Sequence, residues 1–170
     1  ISNYEFDGLA LLSKNVPYGT PDSPEAYNGE QYNFANTGTI KNLYVCDNGS
    51  GGVVLTFGNW GQTAHVTVDG FEFTASREGV SATWAQVYYG TAMSNGVLRY
   101  NSALEIMHDT SLSKIDLFDT SVIYAYDNYT GTSSDITLYD SSIYKMYGTG
   151  TIEGITFYDD SSIIFGGSGV

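Results

Sequence analysis

Asp119, Asp140 and Asp159 recur in one local setting, each behind an aromatic residue and ahead of a corner rich in Ser and Thr. Like charges brought about 5 Å apart repel unless a cation sits between them, so a column of such aspartates is a candidate Ca²⁺ site. The plainer reading makes each aspartate a solvated corner residue that folds back onto nearby backbone amides. The residues before them are Phe118, Tyr139 and Tyr158, and Tyr100 stands before Asn101 in the same pattern. If these four positions stack, the rings form either a packing ladder or a strip that contacts carbohydrate or protein beside the acceptor-rich corners.

Both columns need a fold that brings these positions into line. The stretch Val97 to Phe165 supplies one, because it reads as a single motif written four times, beginning at Val97, Ile115, Ile136 and Ile155. Each copy holds a short apolar run, an aromatic, an Asn/Asp-Ser/Thr corner and a second apolar run. The starts lie 18, 21 and 19 residues apart. A period near ~20 is the mark of stacked repeats, in which no single copy can bury its apolar face alone. Ile115 and Leu117, then Val122 and Tyr124, alternate with other residues at strand periodicity. The expected architecture is therefore all-β, a parallel β-solenoid with an inner column of Ile, Leu, Val, Phe and Tyr. Parallel crossovers are usually right-handed, which makes a right-handed β-helix the expected form. Two irregularities stand out: Lys145 falls where Tyr124 and Ile106 are expected to point inward, and Asp160 reads as an extra residue in the fourth copy.

Other chemistry is sparse. Arg99 and Lys114 lie near Glu105, Asp116 and Asp119 in adjacent copies, the only grouping that suggests a polysaccharide lyase or hydrolase. His65 and His108 have no metal-type spacing, and no phosphate-cradling loop or nucleophile elbow occurs. No catalytic residue is assigned on these grounds. Cys46 is the single cysteine, so no internal disulfide can form, and its strand-like setting predicts a buried thiol. Nineteen acidic residues against 6 basic ones give a net charge of −13, which disfavours nucleic acid and anionic membrane surfaces. No apolar run is long enough to span a bilayer as a helix, so direct membrane insertion is not expected. Asn48-Gly-Ser and Asn128-Tyr-Thr match the glycosylation acceptor pattern, which also arises by chance.

Along the chain, residues 1–36 read as an N-terminal cap with a proline-rich loop, and Tyr4, Phe6, Leu9, Leu11 and Leu12 could form a capping strand. Residues 37–94 read as wider, less uniform rungs carrying the alternating sets Leu43/Val45, Val53/Leu55/Phe57, Val66/Val68 and Phe71/Phe73. Trp60, between glycines, reads as a lid on the core, with an exposed ligand contact as the alternative. Residues 95–170 hold the regular copies.

The cadence from Asn95-Gly-Val-Leu-Arg-Tyr-Asn-Ser-Ala-Leu through Asp119-Thr-Ser-Val-Ile-Tyr resembles the passenger domains of bacterial autotransporters, which carry loose strand-turn-strand repeats. The resemblance covers the last 75 or so residues, and its corners differ, favouring Asp-Ser where that family favours Gly. It implies a secreted or bacterial cell-surface adhesin segment, non-catalytic, that contacts carbohydrate or protein on a host or neighbouring cell or associates with itself. The alternatives are a β-helix enzyme acting on polysaccharide and a structural stalk such as a trimeric phage tail fibre. No cofactor is expected apart from Ca²⁺ on the aspartate column.

Overall fold

A computed structural model describes residues 4–12, 30–47, 53–59, 65–75 and 83–166. The proline-rich loop, Trp60 and the Asn48 acceptor site lie outside the described residues. Every described element is a strand. In chain order they are β1 (Tyr4–Asp7), β2 (Ala10–Leu12), β3 (Glu30–Phe34), β4 (Gly38–Asp47), β5 (Val53–Phe57), β6 (Val66–Ala75), β7 (Thr83–Val87) and β8 (Ala92–Leu98), then β9 (Ala103–Ile106), β10 (Ser111–Leu117), β11 (Val122–Ala125), β12 (Thr132–Leu138), β13 (Ile143–Met146), β14 (Thr151–Phe157) and β15 (Ser162–Phe165).

The strands form two sheets in which every pairing is parallel and chain order becomes spatial order. The first sheet runs β1-β4-β6-β8-β10-β12-β14, with β2 also on β4, and the second runs β15-β13-β11-β9-β7-β5-β3. Each coil gives one strand to each sheet, so the chain is a parallel β-solenoid. The segment expected as a cap contributes β1, β2 and β3, which end both sheets in regular register.

First-sheet strands are bent at one recurring position. Gly8, Asn42, Gly70, Asn95, Lys114, Asp135 and Gly154 all have positive φ, between 52° and 77°, and each stands at the break in its strand's pairing register. A left-handed residue costs roughly 1–2 kcal/mol when it carries a Cβ, and Lys114 has no side-chain habit that favours it. The strain is held by regular pairing on either side of the bend. Each coil thus has three straight segments, two from the first sheet and one from the second.

Inside, identical positions stack into columns. Leu43, Phe71, Gly96, Ile115, Ile136 and Ile155 form one, and Val45, Phe73, Leu98, Leu117, Leu138 and Phe157 another. From the second sheet come Leu55, Ala85, Leu104, Ile123, Tyr144 and Ile163. Column members vary in size, and neighbours compensate. The Phe71 ring occupies the space a Cβ on Gly96 would need, so this glycine is a packing partner. Cys46 is buried, as its strand setting suggested.

Register corrects the repeat alignment. Ile115 pairs with Gly96 and with Ile136, so the first copy starts at Gly96, one residue before Val97. Val97 pairs with Asp116 on the outer face. In the fourth copy Ile143 pairs with Ser162, which puts Asp160 in the place of Ser141 as a replacement, not an addition. Lys145 pairs with Tyr124, and both point outward, because Ile123 and Ala125 are the buried residues of β11. Lys145 therefore breaks no rule: its ammonium reaches the Tyr124 hydroxyl at 3.5 Å and lies 4.8 Å over the ring.

The longer spacing in the third copy also has a cause. The turn Tyr126–Gly131 replaces the shorter Met107–Thr110, and the amides of Thr130 and Gly131 both donate to the His108 carbonyl, at 2.7 and 2.9 Å. Tyr129 thereby turns its whole side chain into the core. Its hydroxyl meets the Ser133 hydroxyl at 2.9 Å, which meets that of Tyr144 at 2.8 Å, all three residues being fully buried. Burial pushes both phenols above their ordinary pKa.

Candidate functional site

The aspartate column forms, and its work is on the backbone. Asp119, Asp140 and Asp159 each adopt a left-handed φ of 56–60° at the corner between the two sheets. There the N–H of one coil points toward the next. The Asp119 carboxylate accepts from the Tyr100 amide at 2.8 Å, Asp140 from the Asp119 amide at 3.0 Å, and Asp159 from the Asp140 amide at 3.4 Å. Each carboxylate thus meets an N–H one coil back, which also relieves the repulsion within the column. Among the described residues no group of three or more His, Cys, Asp or Glu side chains gathers as a metal site. Asn101, expected at the end of this column, occupies the Thr120 place instead.

Serines one step further on repeat the device inside the wall. The Ser142 hydroxyl donates to the carbonyls of Tyr139 and, one coil back, Leu117, at 2.7 and 3.3 Å. Ser161 does the same to Tyr158 and Leu138, at 2.6 and 3.1 Å, and Ser102 reaches the Phe73 carbonyl at 3.1 Å.

The aromatic column holds three of its four expected members. Phe118 and Tyr139 stack at 4.6 Å and 1°, and Tyr139 and Tyr158 at 4.9 Å and 6°. Tyr100 does not join them, because the one-residue shift moves it to the left-handed corner position of Asp119, and Arg99 takes the ring's place. The guanidinium lies 4.5 Å over the Phe118 ring and pairs with Glu72 at 3.3 Å. Stacking of this kind consumes the ring faces: Phe118 is covered by Arg99 and Tyr139, and Tyr139 by Phe118 and Tyr158. The strip presents edges, so a sugar has only the outer face of Tyr158 on which to lie.

Among the residues grouped as an enzyme candidate, Lys114 and Asp116 stand on β10 of the first sheet. Arg99 is held by Glu72 and Asp119 by the Tyr100 amide, while Glu105 lies on the second sheet. His108 stacks on Tyr89 at 3.5 Å, and the Asn128 amide nitrogen lies 3.3 Å from its Nε2, so this acceptor-type asparagine is engaged. Burial holds the His108 imidazole below its ordinary pKa, against the opposing pull of Asp109.

A second aromatic surface lies on the outer face of the second sheet, although the sequence alternation predicts that Tyr124 points inward. Trp84 stands next to Ala103, Tyr124 next to Glu105 and Lys145, and Tyr126 and Tyr147 follow the ends of β11 and β13. Tyr126 is 40% exposed and Tyr147 37%. A polar chain runs through the face. The Tyr88 hydroxyl donates to Gln86 Oε1 at 3.1 Å, the Gln86 amide to Glu105 at 3.2 Å, and the Tyr126 hydroxyl to Glu105 at 2.6 Å. That last bond, with burial and the carboxylate's charge behind it, raises the Tyr126 pKa to about 12. The face combines half-exposed rings with oriented polar groups on paired backbone, the mixture that suits a neutral polar ligand.

No family model matches the chain, and neither a curated protein nor a solved structure matches it.

Proposed function

We propose that the chain is a non-catalytic binding segment of a secreted or cell-surface adhesin, and that the outer face of the second sheet takes a neutral glycan. The observation that carries the reading is the pair Tyr126 and Tyr147, exposed rings that follow the neighbouring strands β11 and β13, with Trp84, Gln86 and the Lys145-capped Tyr124 on the same face. Sugar rings stack on aromatic faces, and their hydroxyls need donors and acceptors at the edge of the contact. The net charge of −13 weighs against acidic polysaccharides and leaves neutral ones. The autotransporter-like cadence agrees with display outside the cell. NMR titration of the chain with a panel of neutral oligosaccharides tests the idea. Shifts confined to β7, β9, β11 and β13, and a loss of about 0.5–1.5 kcal/mol in affinity for Tyr147→Ala, are the expected result. Binding unaltered by Tyr147→Ala and Tyr126→Phe, or no shifts on this face with any sugar, would remove the proposal.

A further inference from the structure

Tyr126 and Tyr147 hold equivalent positions in successive coils: the Tyr126 amide donates to the Ile106 carbonyl and the Tyr147 amide to that of Ala125. Their side chains lean in opposite directions along the stack. The Tyr126 hydroxyl reaches Glu105 at 2.6 Å, and Glu105, which pairs with Tyr124, belongs to the coil before. The Tyr147 ring lies over Gly166, in the coil after, where its Cε1 and Cδ1 atoms fill the place a Cβ on Gly166 would take. Two residues one coil apart thus hold their rings about 10 Å apart, two strand spacings. Neither ring stacks on another aromatic side chain among the described residues, in contrast to Phe118 and Tyr139, whose faces cover each other. Both follow interior strands of the second sheet, so each has a coil on either side. Beside the gap stand Tyr124 and Lys145, two residues before each tyrosine. The Lys145 ammonium caps the Tyr124 ring, and no carboxylate pairs with it among the described residues.

We propose that this face selects a linear, extended glycan with equatorial linkages of the β-1,4 type, and binds a stretch of three or more sugars laid along the stack. The inference rests on the glycan reading above and narrows it to one class of chain. In such a chain each sugar advances by about one strand spacing and alternate sugars turn over. The first and third therefore lie two spacings apart and present equivalent apolar faces to the protein. Tyr126 takes one and Tyr147 the other. The middle sugar passes Lys145, whose ammonium carries donors for a hydroxyl or a ring oxygen. An axial linkage coils the chain, so a second sugar misses the second ring. The Tyr126 hydroxyl is tied to Glu105 before any ligand arrives, which fixes the ring and lowers the ordering cost of binding. Both rings are partly exposed on an open sheet face, so a long chain can run over them without presenting an end.

Calorimetric titration of the 170-residue chain with β-1,4-linked gluco-, xylo- and manno-oligosaccharides, from one sugar to six, reads the spacing directly. In at least one series the affinity should rise about tenfold from two sugars to three, as the second ring is engaged, and change little beyond four. Maltohexaose, equally long but axially linked, should not reach the affinity of that trisaccharide. Tyr147→Ala should abolish the rise, and Lys145→Met should weaken the trisaccharide more than the disaccharide. A disaccharide that binds as tightly as the tetrasaccharide, a rise that survives Tyr147→Ala, or maltohexaose that matches the linear hexamer would overturn this inference and leave the broader glycan reading standing. Silence of all three series, while another neutral sugar shifts this face, would do the same. Silence of every sugar removes both.

Discussion

Replacing Ser133 with Ala tests whether the buried tyrosines are held by polar pairing or by packing alone. The side chain is small, and its methyl equivalent fits the same space, so cavity and strain contribute little. What goes is one hydroxyl that contacts two others, Tyr129 at 2.9 Å and Tyr144 at 2.8 Å, with no exposure at any of the three residues. A buried hydroxyl left without a partner costs about 1–3 kcal/mol. Two stranded phenols therefore set a loss of roughly 2–6 kcal/mol, less whatever they recover by meeting each other. Tyr144→Phe removes a single bond and leaves the Ser133–Tyr129 pair, so it should cost about 1 kcal/mol. The triple change Ser133→Ala, Tyr129→Phe, Tyr144→Phe strands nothing and should be more stable than Ser133→Ala alone. Urea unfolding followed by tyrosine fluorescence and circular dichroism supplies the midpoints. A loss below ~0.5 kcal/mol for Ser133→Ala, or a triple variant weaker than the single one, would refute the reasoning. The pH dependence has a definite sign. Folded-state phenol pKa values raised above the ordinary 10.0 by burial give stability that is complete below pH 10 and lost as pH rises through the raised values, so wild type should destabilise in alkali and the triple variant less.

Two further outcomes follow from the columns. Gly96→Ala should destabilise by about 1–3 kcal/mol, because its Cβ collides with the Phe71 ring, and Phe71→Leu should return part of that loss in the double variant, as thermal unfolding of the four proteins would show. Asp140→Val should cost about 2–4 kcal/mol, the sum of left-handed strain on a branched residue and the lost contact with the Asp119 amide, whereas Asp140→Asn keeps both features and should stay within ~1 kcal/mol of wild type by the same denaturation assay.

The solenoid was legible because its signal is redundant. Three clear copies, Ile115, Ile136 and Ile155, carry the same apolar-aromatic-Asp order, and the structure pairs all three. The first copy was misaligned by one residue for a physical reason: Gly96 sits in the apolar column, where Phe71 fills the space, and a pattern search prefers Val97. In a strand one residue of slip exchanges inside for outside. That slip misplaced Tyr100 and Asn101 and hid Arg99. The same error of phase in β11 made Tyr124 look buried and Lys145 look anomalous, which concealed the aromatic outer face altogether. A signal was available. Lys145 is more at home outside than in, and taking it as outward would have put Tyr124 and Glu105 beside it. The left-handed bends had no such signal at Lys114, since only the neighbouring coils impose them.

The aspartate corners show why chemistry was easier to suspect than to locate. A carboxylate column invites a cation when only charge and spacing are considered. Backbone direction changes the outcome: a residue at φ near 60° turns its N–H along the stack, where the next coil's carboxylate can accept from it. The anion that seemed to need Ca²⁺ has a donor in every interior coil, and the strain of the left-handed corner is offset by a bond from the adjacent copy rather than from its own. The coils that carry Phe118, Tyr139 and Tyr158 are therefore stabilised by one another through four routes at once, the strand edges, the ring stack, the serine hydroxyls and the aspartates. Coupling of this kind is nearest-neighbour, so the stack should hold together strongly in its middle and most weakly at an end where all four routes stop.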